Sequence, residues 1–388
     1  MIRLLTAGES HGPELVVIVD GFPAGMRLTA ADVDGDLALR QKGHGRGGRM
    51  RIEKDRVLFA GGVRLGRTTG APIAMRIPNK DWEHWRETMA AEPAAVPRAA
   101  RRAVTRPRPG HADLAGALKM LSHDARETLE RASARETAAR VAAGALCRAA
   151  LRALGIEILS HTIGLGPVRV ADQVPWRRIQ TLPADSPLRC TDRRAEARMI
   201  RLIDRLRADG DSTGGVFEVV VRGAPPGLGS VAQSDRRLDG RIAGALATVP
   251  AVKAVEIGDG VAGGAARGTA HHDGIYWSAA RRRFYRKTNR AGGIEGGMTN
   301  GEEIRVRAYL KPLSTLTRPL ASVDLVTKRP ARAAVERTDA TPILAAGVVG
   351  AAVVAIELMR AAQEKFGGDT LDELLRAHRA FLRGLDRF

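Results

Sequence analysis

Aromatic side chains are scarce in this chain: Phe, Trp and Tyr make up only 4% of 388 residues. Ala, Val, Leu and Ile must therefore build the core. Hydrophobic residues, at 44%, are plentiful enough to do so and to exclude global disorder. Cysteine is scarcer still. Cys147 falls in an apolar helical run and Cys190 in a basic loop, with neither metal-ligand spacing nor the density of a disulfide framework. No metal site is expected, and a reducing cytoplasm is the expected compartment. The opening Met1-Ile2-Arg3-Leu4-Leu5-Thr6 meets a Gly/Glu/His stretch too early to read as a signal peptide. The best membrane candidate, 342–356, is an uncharged run ended by Glu357. It falls short of the ~20 residues that span a bilayer and reads as a buried core helix. Acidic residues are also in deficit, 43 against 62 Lys and Arg, for a formal net charge of +19. That excess implies an anionic partner: nucleic acid, a membrane surface or a polyanionic small substrate. Composition does not choose among them.

The length suits one large or two ordinary domains, and no repeat or low-complexity linker divides it. Thr29 and Asp32 open a helical stretch to about Gln41, and 50–59 has short β character. Residues 80–110, rich in Trp, Arg and Pro, read as irregular surface. Helical spacing recurs over 114–131 and 134–154, with Gly155 placed to end the second helix. Strands are predicted at 156–163, 216–221 and 251–257, and helices at 195–207 and 237–248. Ile304, Val306, Ala308 and Leu310 alternate with Arg305, Arg307 and Tyr309, the pattern of a half-buried strand stopped by Pro312. Thr341 as cap, Pro342 at the first helical position and Gly367 at the end delimit the last large helix. Helix and strand mix without a βαβ rhythm, which predicts an α+β layered architecture.

Two motifs fail on context. Gly43-x-Gly45-x-x-Gly48 matches a dinucleotide-binding string, but a helix precedes it and a strand follows, the reverse of what that motif needs. Gly210-Asp211-Ser212-Thr213-Gly214-Gly215 resembles a serine-protease nucleophile loop interrupted by a threonine. It reads better as a turn entering the 216–221 strand.

Chemistry concentrates in four loop segments and a downstream set. In Gly8-Glu9-Ser10-His11-Gly12, His11 is either offered to a ligand or a solvent-facing turn residue. From Arg40 through Lys42, Arg46, Arg49 and Arg51 to Lys54, guanidinium groups on a Gly-rich loop suit phosphate or carboxylate capture. A solvated charge run or an RNA-binding arm has the same composition, though little aromatic surface accompanies it. In Arg106-Pro107-Arg108-Pro109-Gly110-His111-Ala112-Asp113, His111 is a second general-acid candidate, or a residue that opens a helix paired with Asp113. Ser133 and Glu136 have capping-box spacing, which sets a helix N-terminus beside Arg131 and Arg135. The glycine-dense loop 289–301, then Lys311-Pro312-Leu313-Ser314-Thr315, and then Arg337-Thr338-Asp339 complete the set. If extended, Arg337 and Asp339 project to one side.

The order and spacing of these strings resemble the chorismate synthase family along nearly the whole chain. GESHG (8–12), RQKGHGRGGR (40–49), RPGHAD (108–113) and RASARETAARVAAG (131–144) carry the first half of the resemblance. GDSTGG (210–215), VKAVEIGDG (252–260), NRAGGIEGGMTNG (289–301), KPLST (311–315) and RTD (337–339) carry the second. The resemblance implies a single catalytic domain over 1–388, a layered β-α-β sandwich and a homotetramer. It implies anti-1,4-elimination of phosphate and a C6 hydrogen from 5-enolpyruvylshikimate 3-phosphate to give chorismate. This is a cytoplasmic step of the shikimate pathway in aromatic amino acid biosynthesis. The family uses reduced FMN without net redox change, with NADPH as a candidate reductant. A phosphorylated dicarboxylate substrate and a second phosphate on FMN would account for the basic charge without nucleic acid or membrane.

By matching position, the resemblance makes His11 and His111 proton donors or charge stabilisers, and Asp339 a proton-transfer residue at the flavin N5 side. Arg40, Arg46, Arg49, Arg135 and Arg337 become anion-binding residues. Arg131, Ala132, Ser133, Gly296 and Lys311, Pro312, Leu313, Ser314 and Thr315 become FMN-binding, with Ala251 and Arg337 added. Family members often carry a polar residue before that alanine, where this chain has Pro250-Ala251. His44, His271 and His272 receive no role. Two other classes stay open at this level. A basic nucleic-acid-binding protein predicts tight binding with a steep salt slope. A flavin oxidoreductase predicts a change in substrate oxidation state.

Overall fold

The computed structural model describes residues 1–46, 54–92, 102–170, 173–280, 282–336 and 339–388. Apolar residues build two large antiparallel sheets, beside which the other sheets are two-stranded ribbons. In the first, β1 (Arg3–Ala7), β2 (Glu14–Asp20), β3 (Leu58–Gly61) and β4 (Ile73–Pro78) lie in the order β1-β2-β4-β3. Leu15, Val17 and Val19 of β2 face the core while Ile18, 38% exposed, faces out. In the second sheet, β5 (Glu157–Leu165), β6 (Val168–Arg169), β7 (Gly215–Arg222), β8 (Val252–Ile257) and β9 (Ile304–Leu310) lie in the order β8-β9-β7-β5-β6. The β9 alternation is as its sequence predicts. Strand β7 is buried on both faces up to Arg222, and its one buried charge, Glu218, is held by His161 and Arg305 at 3.0 Å and Arg307 at 3.3 Å.

The longer helices, of seven residues or more, are α1 (Ala30–Gln41), α2 (Asp113–Lys119), α3 (Arg126–Ala132), α4 (Thr137–Ala153), α5 (Arg193–Asp209), α6 (Leu238–Ala247), α7 (Ile343–Phe366) and α8 (Leu371–Leu385). Helix α4 packs on β1, β2 and β4 and against α7, and α7 packs on β5 and β7. Helices therefore lie between the two sheets, an α+β fold layered β-α-β. One apolar core joins Val17 and Ile73 of the first sheet to Phe217 and Val306 of the second. Two glycines set how closely the layers meet. A Cβ on Gly144 of α4 would sit 2.4 Å from Ala352 Cβ of α7, and one on Gly350 would sit 2.4 Å from the Phe217 ring. Helix α7 is long and apolar enough to cross a membrane, yet 94% of its most apolar window is buried inside the protein.

Caps explain several helix ends. Thr29 and Asp32 form a reciprocal capping box on α1. Asp192 accepts from the N–H groups of Arg194 and Ala195 to start α5, and Gly210, at φ 71°, ends it. Gly155, at φ 75°, ends α4 as expected.

Three expectations need correction. The 114–131 stretch is two helices, because Asp124 accepts from the N–H of Val104 and Arg126 and Leu121 turns to φ 53°. That turn chemistry overrides the helical spacing. The strand expected at 50–59 begins only at Leu58: residues 54–57 are irregular and 50–53 lie outside the described residues. Pro342, not Thr341, is the N-cap of α7, since its carbonyl accepts the Ala346 N–H at 2.8 Å. The buried Thr341 hydroxyl has no partner among the described residues.

Candidate active site

The ends of these elements enclose a cavity of about 420 Å³. Its apolar wall comes from Ala345, Ala346 and Val349 on α7 and from the 249–251 turn entering β8. Its polar wall comes from loops: the turn after β1, the end of α1, the approach to α2, the α3–α4 junction and the exit of β9.

Two histidines face this cavity, each backed by a buried carboxylate. His11 Nδ1 lies 2.9 Å from both oxygens of Glu130, and the His11 backbone N–H donates to Glu130 Oε2 at 2.9 Å. Arg126 donates to Glu130 Oε1 at 3.1 Å from one turn earlier on α3. Burial opposes the Glu130 charge, but the hydrogen bonds from His11 and Arg126 outweigh it and hold the carboxyl below its ordinary range. The Trp85 ring stacks on the His11 imidazole with centroids 3.8 Å apart.

His111 Nδ1 lies 2.5 Å from Asp113 Oδ1, while Arg108 donates to the same carboxylate through Nε at 2.8 Å and Nη2 at 3.0 Å. Arg108 Nη2 is also 3.0 Å from His111 Nδ1. One nitrogen cannot donate to Asp113 and accept from Arg108 at once, and the shorter contact assigns the imidazole N–H to the carboxylate. Burial again opposes the charge, and the bonds from His111 and Arg108 drive Asp113 far below the usual carboxylate range. The structure thus pairs His111 with Asp113 at the start of α2 and sets the imidazole in the cavity lining.

The basic wall is built from arginines held by few acids. Asp55 receives Arg40 Nη1 at 3.3 Å and Arg135 Nη1 at 3.0 Å, with all three side chains nearly buried. Arg40 is further fixed by donating to Thr137 Oγ1 and the Ala134 carbonyl. Arg46 Nη1 donates to Asp339 Oδ2 at 2.6 Å. Arg49 and Arg337 lie outside the described residues.

Ala132, Ser133, Ala251 and Lys311 to Thr315 also line the cavity. The Ser133 hydroxyl donates to Ser10 Oγ at 3.0 Å and accepts from the Arg135 N–H. The expected capping box is not made, because the Glu136 N–H donates to the Ser133 carbonyl at 3.1 Å and the Glu136 carboxylate turns to Thr6 Oγ1 and Arg140. Lys311 donates to the Gly110 carbonyl, and burial together with nearby Lys253 holds its ammonium below the usual lysine range. Ser212, from the rejected protease-like string, donates to the Leu313 carbonyl at 2.8 Å and so positions this loop. Ala251 adopts φ 72°, a conformation that costs a non-glycine residue about 1–2 kcal/mol, and its carbonyl accepts the Lys311 N–H at 2.9 Å.

Among the described residues, two expected site residues do not line this cavity. Arg131 pins the end of β1 by donating to the carbonyls of Thr6 and Gly8, each at 3.0 Å. Gly296 sits in the turn between the 294–295 and 298–299 strands. Conversely, Trp85, Glu130, Arg126 and Asp55 carry weight that sequence reasoning did not give them. Only the four-residue spacing of Arg126 and Glu130 was a visible signal. Burial pushes the Cys147 thiol up to about 12 and Cys190 up to about 11, so neither offers a nucleophilic thiolate.

The family model described as chorismate synthase matches residues 2–362. The chain is 55% identical over 383 residues to the chorismate synthase of Desulforudis audaxviator, covering 98% of this chain and 97% of that one. With the Moorella thermoacetica enzyme it shares 53% over 386 residues, 99% and 100% of the two chains. With that of Thermus thermophilus it shares 53% over 373 residues, 96% of each. A chorismate synthase crystal structure superposes with a TM-score of 0.78 at 36% identity, over 100% of this chain and 99% of the other. Similarity of this degree over the full length, in both sequence and fold, means that the chain belongs to the chorismate synthase family of carbon–oxygen lyases.

Proposed function

We propose that this cavity eliminates phosphate from 5-enolpyruvylshikimate 3-phosphate with reduced FMN bound beside the substrate. The observation that carries the reading is the pair of carboxylate-backed histidines lining one cavity together with Arg40, Arg46 and Arg135. Buried cations stabilise a leaving phosphate most where water is excluded. The residues present fit a flavin mononucleotide. Such a group needs an apolar wall for its ring and hydroxyl, ammonium or backbone donors for its phosphate and chain. The cavity combines Val349 and Ala346 with Ser133, Lys311, Ser314 and Thr315. Ala132 and Ala251 would complete the flavin site, with Arg131, Gly296 and Arg337 added by the family resemblance. Bound reduced FMN supplies electron density that eases departure of the phosphate.

In this reading Arg40, Arg46 and Arg135, with Arg49 and Arg337, hold the substrate's phosphate and carboxylates. His11 and His111 give protons to, or neutralise, the charge that develops as the C–O bond breaks. Asp339 assists collection of the C6 proton. The phosphate leaves with the C–O electron pair, and the C6–H pair ends in the new double bond, so no net oxidation occurs. The enzyme would work in the cytoplasm as a homotetramer, with NADPH as the candidate reductant.

Anaerobic titration of the protein with FMN in the presence of substrate, followed by flavin absorbance, tests the cofactor assignment. Saturable binding with a perturbed spectrum is expected. A folded protein that binds flavin in neither redox state would remove FMN from the account.

A further inference from the structure

We propose that Glu130 is a positioning residue for His11, selecting which imidazole nitrogen works in the cavity. The inference rests on the reading of His11 as a proton donor. Three contacts tie His11 to a residue 119 positions away: ring Nδ1 to both carboxylate oxygens at 2.9 Å, and backbone N–H to Oε2 at 2.9 Å. The neighbouring Ser10 N–H donates to the Glu130 carbonyl at 3.0 Å. The Glu130 side chain is 0% exposed, so nothing in solvent competes for its oxygens.

The chemistry follows from the donor inventory. An ionised carboxylate only accepts, so Nδ1 carries the proton and Nε2 is left as the nitrogen that exchanges protons with a ligand. Trp85 stacks on the ring at an interplanar angle of 23°, which holds its plane but does not distinguish the two ring flips. Glu130 makes that distinction, because only one flip presents Nδ1 to it. Arg126 keeps the carboxylate ionised at 3.1 Å while anchored to the Arg102 carbonyl at 3.1 and 2.8 Å and to Glu336 at 3.3 Å. Among the described residues, the charged groups around His11 include Glu130 and Arg126 on α3, Arg102 over the Trp85 ring at 4.3 Å, Asp81, which accepts from the Trp85 indole N–H at 3.3 Å, and Glu336 beyond Arg126. His111 and Arg108 line the same cavity, and Asp113 is bonded to both.

The test is Glu130→Gln, with Glu130→Asp as the charge-retaining partner. Glu130→Gln should lower kcat about 10- to 100-fold, less than the ~10²–10⁴ carried by a general acid itself. KM for the substrate should stay within about threefold, since no substrate contact is removed. Loss of the carboxylate disfavours the imidazolium, so the alkaline limb of the kcat profile should move to lower pH. Glu130→Asp should restore part of both effects. A second readout needs neither flavin nor turnover: nitrogen NMR of the nine histidines, with His11 assigned by its loss in His11→Asn. Wild-type His11 should carry its neutral-form proton on Nδ1, and Glu130→Gln should show a mixture of tautomers.

An Nε2-protonated His11 in the wild type overturns the proposal, as does a Glu130→Gln enzyme with unchanged kcat and pH profile. If Glu130→Gln does not fold, the wild-type tautomer still decides. If the wild type folds but makes no chorismate, the proton-donor reading fails separately, and the tautomer measurement still judges Glu130.

Discussion

His111 and Asp113 are two residues apart in the chain, and the imidazole Nδ1 meets the carboxylate Oδ1 at 2.5 Å where the approach loop turns into α2. The Asp113 side chain is 0% exposed, and Arg108 clamps it from the other side. A carboxylate so held makes folding depend on pH. Asp113 and Glu130 both lie below their ordinary values in the folded state. The stability they contribute is therefore present above the unfolded carboxylate range, at about 4, and lost as pH falls below it. Urea midpoints should drop between about pH 5 and pH 3 in the wild type. Asp113→Asn should be less stable at pH 7 but fall less steeply over the same interval; parallel slopes would contradict the assignment.

Arg46 and Asp339 bring the site together from opposite ends of the chain through one 2.6 Å ion pair. Asp339→Asn is nearly isosteric and can still accept a hydrogen bond, but it cannot take a proton comparably. Turnover should fall by at least about 100-fold with the circular dichroism spectrum unchanged. Normal turnover would remove Asp339 from proton transfer.

Asp55 is the shared counter-ion of Arg40 and Arg135, and its side chain is nearly buried. Asp55→Asn leaves two confined guanidinium groups with reduced compensation, a loss on the order of 3–5 kcal/mol. Phosphate at millimolar concentration should recover part of the lost Tm by occupying the same guanidinium groups. A variant as stable as the wild type would show that Asp55 does not hold the anion wall together.

The close approach of α4 and α7 gives a packing prediction with an internal control. Gly144→Ala forces its methyl against Ala352 and should cost about 1–3 kcal/mol. Gly244→Ala, on α6 with nothing within 4 Å of the added Cβ, should instead stabilise by about 0.5–1 kcal/mol. Equal effects in chemical denaturation would contradict the described layer contact.

Much of the fold was legible where one face of an element meets the core. The β9 alternation, the Thr29–Asp32 capping box and the glycine at the end of α5 depend on neighbours within a few residues, which sequence displays directly. The single helix expected over 114–131 failed because Asp124 bonds the Val104 N–H from 20 residues away. The order of the strings identified the loops around the cavity. It could not show that Glu130 reaches His11 from 119 positions along the chain, or that Asp55 lies between Arg40 and Arg135. Such pairings are set by how α3 and α4 sit against the first sheet. Local spacing carries no record of them.

The most direct measurement is anaerobic turnover of 5-enolpyruvylshikimate 3-phosphate with chemically reduced FMN, following chorismate and phosphate together. The account predicts equal amounts of both products, none with oxidised FMN alone, and no net consumption of reduced flavin. A folded, flavin-binding protein that releases neither product, or that consumes one reduced flavin per turnover, would contradict it.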